Sequence, residues 1–388
     1  MSANPGPLLP GATLGVLGGG QLGRMFVHAA QQMGYFTAVL DPDPDSPAGL
    51  VSHHHVHTDY LDNDGLARLS TLSQAITTEF ENVPAPALAR LAAQRFVAPG
   101  AAAVAIAQDR AQEKAHFDRC GVPCAPYAVI ASAQQLAAVP DALLPGILKT
   151  ARLGYVGKGQ IRVGTRAELE AAWASLRQVP CVLEQRLDLA FECSVVAARG
   201  RDGQLVMLPV QRNLHRDGIL AVTEVFEGNL APQQAERARA AARSIAEGLD
   251  YVGVLCVEFF GLADGSLVVN EIAPRPHNSG HWSVDGCDVS QFELQVRTLA
   301  GLPLVAPRVH SACVMLNLLG DLWFDGERER APDWAAVLAL PGVHLHLYGK
   351  QQARRGRKMG HLTVTAADPQ AARAVALQAA GRLGIAPF

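Results

Sequence analysis

No C-x-x-C occurs among the seven cysteines, and the nearest two, Cys120 and Cys124, stand four positions apart. A disulfide framework or a structural zinc site is therefore not expected. Most of the thiols read as small buried apolar residues in a reducing compartment. Charge is also sparse. Asp, Glu, Lys and Arg make up 18% of the 388 residues, and 33 basic against 36 acidic side chains leave a formal net charge of −3. Binding to nucleic acid or to an anionic membrane through bulk charge is not expected. Long hydrophobic runs are missing too: the longest, such as Val252–Phe260, fall well short of the ~20 residues of a membrane span. Met1–Gly11 is rich in Pro and Gly and has no charged segment leading into an apolar core, so no signal peptide is read there and the expected compartment is the cytoplasm. Apolar residues are plentiful at 49%. They exclude a disordered chain, and the length suggests two or three domains.

Leu14–Leu17 is an apolar run that ends in Gly18-Gly19-Gly20. A periodic apolar segment, Leu22–Met33, follows, and Thr37–Leu40 is a second run. This pattern predicts strand, tight turn, helix, strand, the opening of a parallel α/β sheet. With further strands at Ala75–Thr78 and Phe96–Ala98, the first ~105 residues read as a small doubly wound domain. Beyond it, a helix over about Asp109–Cys120 stops at Gly121. Strands are expected at Ile147–Thr150 and Cys181–Glu184 around a helix at Arg166–Leu176. Phe191–Ala198 with Gln204–Val210 reads as one hairpin, and Val252–Phe260 with Leu267–Ile272 as another. Helices are predicted over Gln233–Leu249 and Pro369–Leu383, and short strands at Val343–Tyr348 and His361–Val364. His53-His54-His55 and His57 read as a solvated loop, since no acid or cysteine partner has a clear metal spacing.

Gly18-Gly19-Gly20-Gln21-Leu22-Gly23 fits G-x-G-x-x-G, and Asp41 ends the next strand where a ribose-binding acid would sit. Alone, the motif suggests a dinucleotide-binding oxidoreductase. Its physics is more general, because glycines permit close backbone approach and a helix N-terminus attracts any phosphate or polar ligand.

Asp264-Gly265 is a strong two-residue hairpin turn, and that loop places Glu258 directly opposite Glu271 on one face. Like charges opposed on a ladder destabilise a sheet, and the apolar flanks Leu255–Val257 and Phe259–Phe260 suggest burial. A hard divalent cation such as Mg2+ would resolve the conflict. Two solvated glutamates on an exposed face are the alternative. The segment after Glu271, Ala273-Pro274-Arg275-Pro276-His277-Asn278-Ser279-Gly280-His281, is dense in polar and cationic donors, as binding loops at strand ends are. A second glycine loop, Lys149–Gln160, carries Gly154, Gly157 and Gly159 with Arg152 and Lys158. It suits a lid over a polyphosphate, and it is not a Walker A loop. An ordinary basic surface hairpin is the alternative.

With these pieces in place the chain resembles the ATP-grasp superfamily and, within it, the N5-carboxyaminoimidazole ribonucleotide synthase family, from about Leu14 to Leu362. The stretches that carry the resemblance are Gly18–Met25, Glu79-Phe80-Glu81-Asn82-Val83, Asn213–Leu220, Asn270–Trp282 and Gly356–His361. The resemblance implies an α/β fold. A doubly wound parallel-sheet domain at 1–107 would precede a two-lobed ATP-grasp domain at 108–300 (smaller lobe 108–186, larger lobe 187–300), and 301–388 would complete the larger lobe. It implies an ATP-dependent carbon–nitrogen ligase of purine biosynthesis, in which carboxyphosphate made from ATP and bicarbonate carboxylates 5-aminoimidazole ribonucleotide. It also implies a homodimer.

By the same resemblance ATP would be held by Arg110, Lys149, Gly154, Tyr155, Val156, Gly157, Lys158, Gly159, Gln160, Glu184, Gln185, Arg186, Leu187, Glu192, His215, Asn270 and Glu271. Lys149 would meet the phosphates and Glu192 the ribose. Glu258 and Glu271 would carry Mg2+. Gln21, Leu22, Glu81 and Asn278 would contact the imidazole ribonucleotide, and Lys350, Arg357 and Lys358 its phosphate. Arg275 and His277 would bind bicarbonate, and Arg275, His277, Asn278, Tyr155 and Lys350 form the expected catalytic set. Such chemistry needs positioning and charge neutralisation more than covalent help, and a lid to keep carboxyphosphate from water.

Two rivals remain: an ATP-grasp ligase with another acceptor, such as a formate-dependent glycinamide ribonucleotide transformylase, and the dinucleotide oxidoreductase. The Asn278-Ser279-Gly280-His281-Trp282 run favours the carboxylating branch. The lid departs from the family's Gly-Gly-Tyr-Asp-Gly, reading Leu153-Gly154-Tyr155-Val156-Gly157. Because Val156 has no charge to orient an amine or water, the expectation is either that activity is retained but reduced, in which case Val156→Asp raises it in a bicarbonate-dependent ATPase assay, or that a neighbour replaces the Asp. A robust wild-type rate with no gain in the variant would overturn the first of these; nucleotide and ribonucleotide binding without phosphate release would mark a pseudoenzyme.

Overall fold

The computed structural model describes residues 6–152 and 159–388. Three sheets organise the chain. The first contains β1 (Thr13–Leu17), β2 (Phe36–Asp41), β3 (His54–His57), β4 (Ala75–Thr78) and β5 (Phe96–Val97), all parallel in the order β3-β2-β1-β4-β5. That is the doubly wound arrangement expected from the alternating apolar runs. Its core is not closed by its own helices alone: Phe292, Val296 and Leu299, on the helix Gln291–Ala300, pack with Leu14, Val16 and Phe26. This helix locks the first sheet against the rest of the molecule, and Gln295 adds a buried hydrogen bond to Thr77 (3.2 Å).

The second sheet is antiparallel, β6 (Tyr127–Ile130), β9 (Cys181–Gln185), β7 (Gly146–Thr150) and β8 (Gln160–Val163) in that order. The third is larger. It contains β10 (Leu189–Arg199), β11 (Leu205–Met207), β12 (Gln211–Arg216), β13 (Ile219–Val225), β14 (Gly253–Leu262), β15 (Leu267–Ala273), β16 (Ala312–Leu319), β19 (Val343–Leu347) and β20 (Lys358–Ala366). A two-residue ribbon, β17 (Phe324–Asp325) with β18 (Arg328–Glu329), lies apart from it. The order is β15-β14-β10-β12-β13-β16-β20-β19, with β11 on β10, so the C-terminal segment is built into the same sheet. The helices Pro232–Gly248 and Pro369–Leu383 cover it with alanine-rich faces, Ala238, Ala242 and Ile245 on one, Ala372, Ala376 and Ala379 on the other. Among the described residues no helix is long and apolar enough to cross a membrane.

Two expectations are corrected. The His53–His57 stretch is not a loop: His54–His57 is β3, the edge strand of the first sheet, paired in parallel with β2. Val56 buries its side chain (3% exposed) while its neighbours His55 and His57 meet main-chain carbonyls of Asp41 and Pro42, so one apolar residue among imidazoles is enough to hold the strand. The hairpin turn is also longer than two residues. The Leu262 N–H donates to the Ser266 carbonyl (2.9 Å), leaving Ala263, Asp264 and Gly265 as the loop, with Gly265 at φ +82. That geometry is a three-residue turn ending in a left-handed glycine.

Candidate active site

Glu258 and Glu271 are nevertheless direct partners on the β14–β15 ladder. The extra turn residue shifts pairs near the loop (Phe259 faces Val269), and a β-bulge between Glu258 and Phe259 shifts them back. Two one-residue departures cancel, which is why the simple pairing found the right acids. Burial differs between them. Glu258 is largely enclosed, whereas the Glu271 side chain is 42% exposed, so the expected burial fails for Glu271, which opens onto a cleft. Each acid meets a basic side chain: His277 Nε2 lies 2.9 Å from Glu258, and Arg110 Nη1 lies 3.1 Å from Glu271. Burial alone would raise the Glu258 carboxyl, but His277, with His215 and Lys358, holds it well below the usual carboxylate range.

The cleft, about 540 Å³, lies between the second and third sheets. Asp109 caps the helix Arg110–Arg119 by accepting from the amides of Ala111 and Gln112, and so sets Arg110 on the first turn toward Glu271. One turn on, Glu113 accepts from the Ile272 amide (2.8 Å); burial and then Glu271 push its carboxyl up to about 8. Lys114 donates to the Asn270 carbonyl (3.1 Å) and lies 3.4 Å from Glu184. Lys149, from β7, closes on Glu184 at 2.8 Å. Burial would raise Glu184, but Lys149 and Lys114 overcome it and keep the carboxyl low. Glu192 on β10 and His215 on β12 are ion-paired. Burial would lower His215; the bond to Glu192 wins and raises it. The same cleft is lined by Gln160, Gln185, Arg186 and Leu187.

Asn270, which also lines the cleft, has a buried Oδ1 with no partner among the described residues. With Glu258 and Glu271 it makes a set of hard oxygen donors, the chemistry Mg2+ prefers, and the cations around it suit a polyphosphate.

A second recess, about 340 Å³, adjoins the first. Gln21, Leu22, Glu81, Asn278 and Lys358 all line it, with Glu79 and His281. Neither polar atom of the Asn278 carboxamide has a partner among the described residues, although the side chain is buried. Of the expected phosphate cluster, Lys358 alone lines the recess. Lys350 Nζ donates to the Lys358 carbonyl (2.6 Å), and Arg357 bonds to the Gln352 carbonyl (2.9 Å). Gly159 lies at the edge of β8, with its carbonyl accepting from Thr150 (2.9 Å). Gly154, Tyr155, Val156, Gly157 and Lys158 lie outside the described residues.

The loop after β15 is held by a residue with no motif around it. Gln291, fully buried, accepts from the His277 amide (2.9 Å) and donates toward the His277 carbonyl and His281 Nδ1 (both 2.8 Å). Ser279 takes hydrogen bonds from Ser194 (2.8 Å) and shares one with His277 Nδ1 (2.9 Å). Arg275 is paired with Glu81 across from the first sheet.

The glycine turn does not offer its amides to a ligand. The amides of Gly20, Leu22 and Gly23 donate to the Glu79 carboxylate at 2.9, 3.1 and 3.0 Å, and the Gly19 amide donates to Asp41 (2.6 Å). Gly18 stands at φ +101, and a Cβ on Gly20 would lie 2.4 Å from Glu79 Oε1. The glycines therefore admit an internal carboxylate where a dinucleotide would place its pyrophosphate. The oxidoreductase reading fails on that ground.

Comparison with known proteins agrees with this geometry. Residues 11–108 match the ribonucleotide synthetase preATP-grasp domain, 115–292 the ATP-grasp domain and 313–375 the phosphoribosylaminoimidazole carboxylase C-terminal domain. The N5-carboxyaminoimidazole ribonucleotide synthase of Brucella melitensis is 45% identical over 359 residues, 92% of this chain and 97% of its own. The Staphylococcus aureus N5-carboxyaminoimidazole synthetase, solved with ADP, superposes with a TM-score of 0.89 at 34% identity, covering 99% of this chain and 100% of its own. The Aspergillus clavatus synthase, solved with ADP and 5-aminoimidazole ribonucleotide, gives 0.86 at 30% identity, covering 96% and 99%.

Proposed function

The chain belongs to the N5-carboxyaminoimidazole ribonucleotide synthase family of ATP-grasp ligases, and from that membership we propose how its residues share the reaction. The enzyme uses ATP to carboxylate 5-aminoimidazole ribonucleotide. A bicarbonate oxygen takes the γ-phosphoryl as the bond to ADP breaks. The ribonucleotide amine then attacks the carboxyl carbon of carboxyphosphate, phosphate leaves and the amine gives up a proton.

One observation supports this most. The two recesses share a wall made of Glu81, Asn82, Arg275, His277 and Lys358. Nucleotide in the larger and ribonucleotide in the smaller would meet there, at the Arg275 and His277 side chains expected to hold bicarbonate. Arg110, Lys149 and His215 neutralise the nucleotide's charge and Glu192 reaches its ribose. Bound between Glu258 and Glu271, Mg2+ would neutralise the phosphoryl oxygens as charge redistributes. His277 is held by Ser279 and Glu258, and Arg275 by Glu81, so both are fixed before substrate arrives. Asn278, with its carboxamide unpaired, supplies a donor and an acceptor to the imidazole ribonucleotide. A homodimer in the cytoplasm completes the proposal; the free cysteines suit a reducing compartment, and sedimentation would settle the stoichiometry.

Phosphate release from ATP tests the reading directly. It should require both 5-aminoimidazole ribonucleotide and bicarbonate. Release with formate and glycinamide ribonucleotide instead would assign the chain to the other branch.

A pH dependence follows from the lysines. Burial, then Arg357, brings Lys350 down to about 8, and burial, then Arg275, does the same for Lys358. Below that pH both are cations, Lys358 in the recess attracting the substrate phosphate and Lys350 beside it adding to the local positive charge; above it they are neutral. The kcat/KM for the ribonucleotide should therefore fall as pH rises through about 8. A profile still flat one unit higher would contradict the assignment of these lysines.

A further inference from the structure

Behind the ribonucleotide recess lies a cluster of imidazoles that the reaction does not use. His346 on β19 and His361 on β20 are direct partners on their ladder, with rings stacked 4.6 Å apart. Asp285, on the short helix Ser283–Gly286, places Oδ2 at 2.8 Å from His346 Nε2 and Oδ1 at 3.8 Å from His344 Nδ1. His344 and His346 are two apart on one strand and so share a face. One ligand atom from each of Asp285, His346 and His361 lies within 4.8 Å of the others.

His361 is the decisive member. It is 0% exposed, its Nδ1 lies 3.0 Å from the Tyr348 hydroxyl, and its Nε2 has no partner among the described residues. A buried, unpaired ring nitrogen is costly. In the tautomer whose Nδ1 donates to the tyrosine, Nε2 presents a lone pair, the arrangement in which an outer hydrogen bond orients a metal-binding histidine. Two imidazoles and a carboxylate favour a borderline transition metal over Mg2+, which takes oxygen. Asp285 and His346 are 11% and 28% exposed, which leaves a path for entry.

We propose that Asp285, His346 and His361 form a second metal site, distinct from the Glu258–Glu271 pair and suited to Zn2+ or Co2+, with His344 at its mouth and with the His346 ring turning out of its stack on His361 as the ion enters. An ion there would tie the segment that follows the Arg275–His281 loop to the β19–β20 hairpin.

The test uses the full chain, purified without a histidine tag and stripped of metal, titrated with Zn2+ by calorimetry and with Co2+ by visible absorption. One ion should bind per chain, with a Co2+ spectrum of nitrogen and oxygen ligands, and Zn2+ should raise Tm. In His346→Gln and Asp285→Asn the affinity should drop roughly 100-fold or more and the rise in Tm should vanish. Glu271→Gln and the edge-strand variant His55→Gln/His57→Gln should bind as wild type. If a variant fails to fold, as judged by circular dichroism, diethyl pyrocarbonate labelling of wild type decides: Zn2+ should protect His346. No stoichiometric binding, no protection, or binding lost in the edge-strand variant would overturn the proposal.

Discussion

Bicarbonate-dependent phosphate release should drop by roughly 10²–10³-fold when Glu258 is replaced by Gln. The change preserves volume and keeps an acceptor for His277, so the ladder with Glu271 should survive. What disappears is one of two negative charges on a shared face. Burial makes that charge expensive, and His277 is arranged to keep it. A carboxylate maintained at this cost beside a half-open partner is suited to a cation that arrives with the nucleotide. Glu271→Gln should act in the same direction, with the added effect of freeing Arg110 from its partner at 3.1 Å. Phosphate release measured against Mg2+ concentration, with near-ultraviolet circular dichroism as the check on folding, reads both. A loss of less than tenfold in both variants, at saturating Mg2+, would remove the pair from the metal site.

Glu184→Gln should have the largest effect on stability. The side chains of Lys114, Lys149 and Glu184 are 1%, 8% and 5% exposed. The carboxylate is the counter-charge for both amines. Without it two ammonium groups stay in a low-dielectric interior, a situation that costs roughly 3–5 kcal/mol when one member of a buried pair is deleted. Thermal unfolding at neutral pH checks this. An unchanged Tm would mean that Lys149 swings into the cleft and takes its charge to solvent.

Much of this arrangement was legible in the residue order. Alternating apolar runs and glycine turns mark the first sheet, because a strand buried on both faces has to be continuously apolar. The acid pair was found by hairpin pairing, although a longer turn and a bulge had to offset each other. Other features were hidden for identifiable reasons. Glu113, Lys114 and Phe117 were not picked out, although with Arg110, which the resemblance named, they follow the i, i+3, i+4, i+7 spacing of one helical face. Three charged residues on a face that also carries a buried Phe were a usable sign of an internal ion network. Gln291 gave no such sign, since its partners are main-chain groups that only the tertiary fold brings near. Glu79 was passed over for Glu81, two positions along in the same extended segment, because nothing local shows which carboxylate turns back to the glycine turn. The His54–His57 strand was missed because histidine carries little β propensity and Val56 alone supplies the buried anchor.

That inward-turned acid reverses the polarity of its recess. A glycine turn at a helix start ordinarily presents hydrogen-bond donors and welcomes phosphates; with Glu79 spanning three of those amides, the wall shows an acceptor instead. A dinucleotide pyrophosphate would find the amides of the turn whose spelling suggests it already taken by a carboxylate of the same chain.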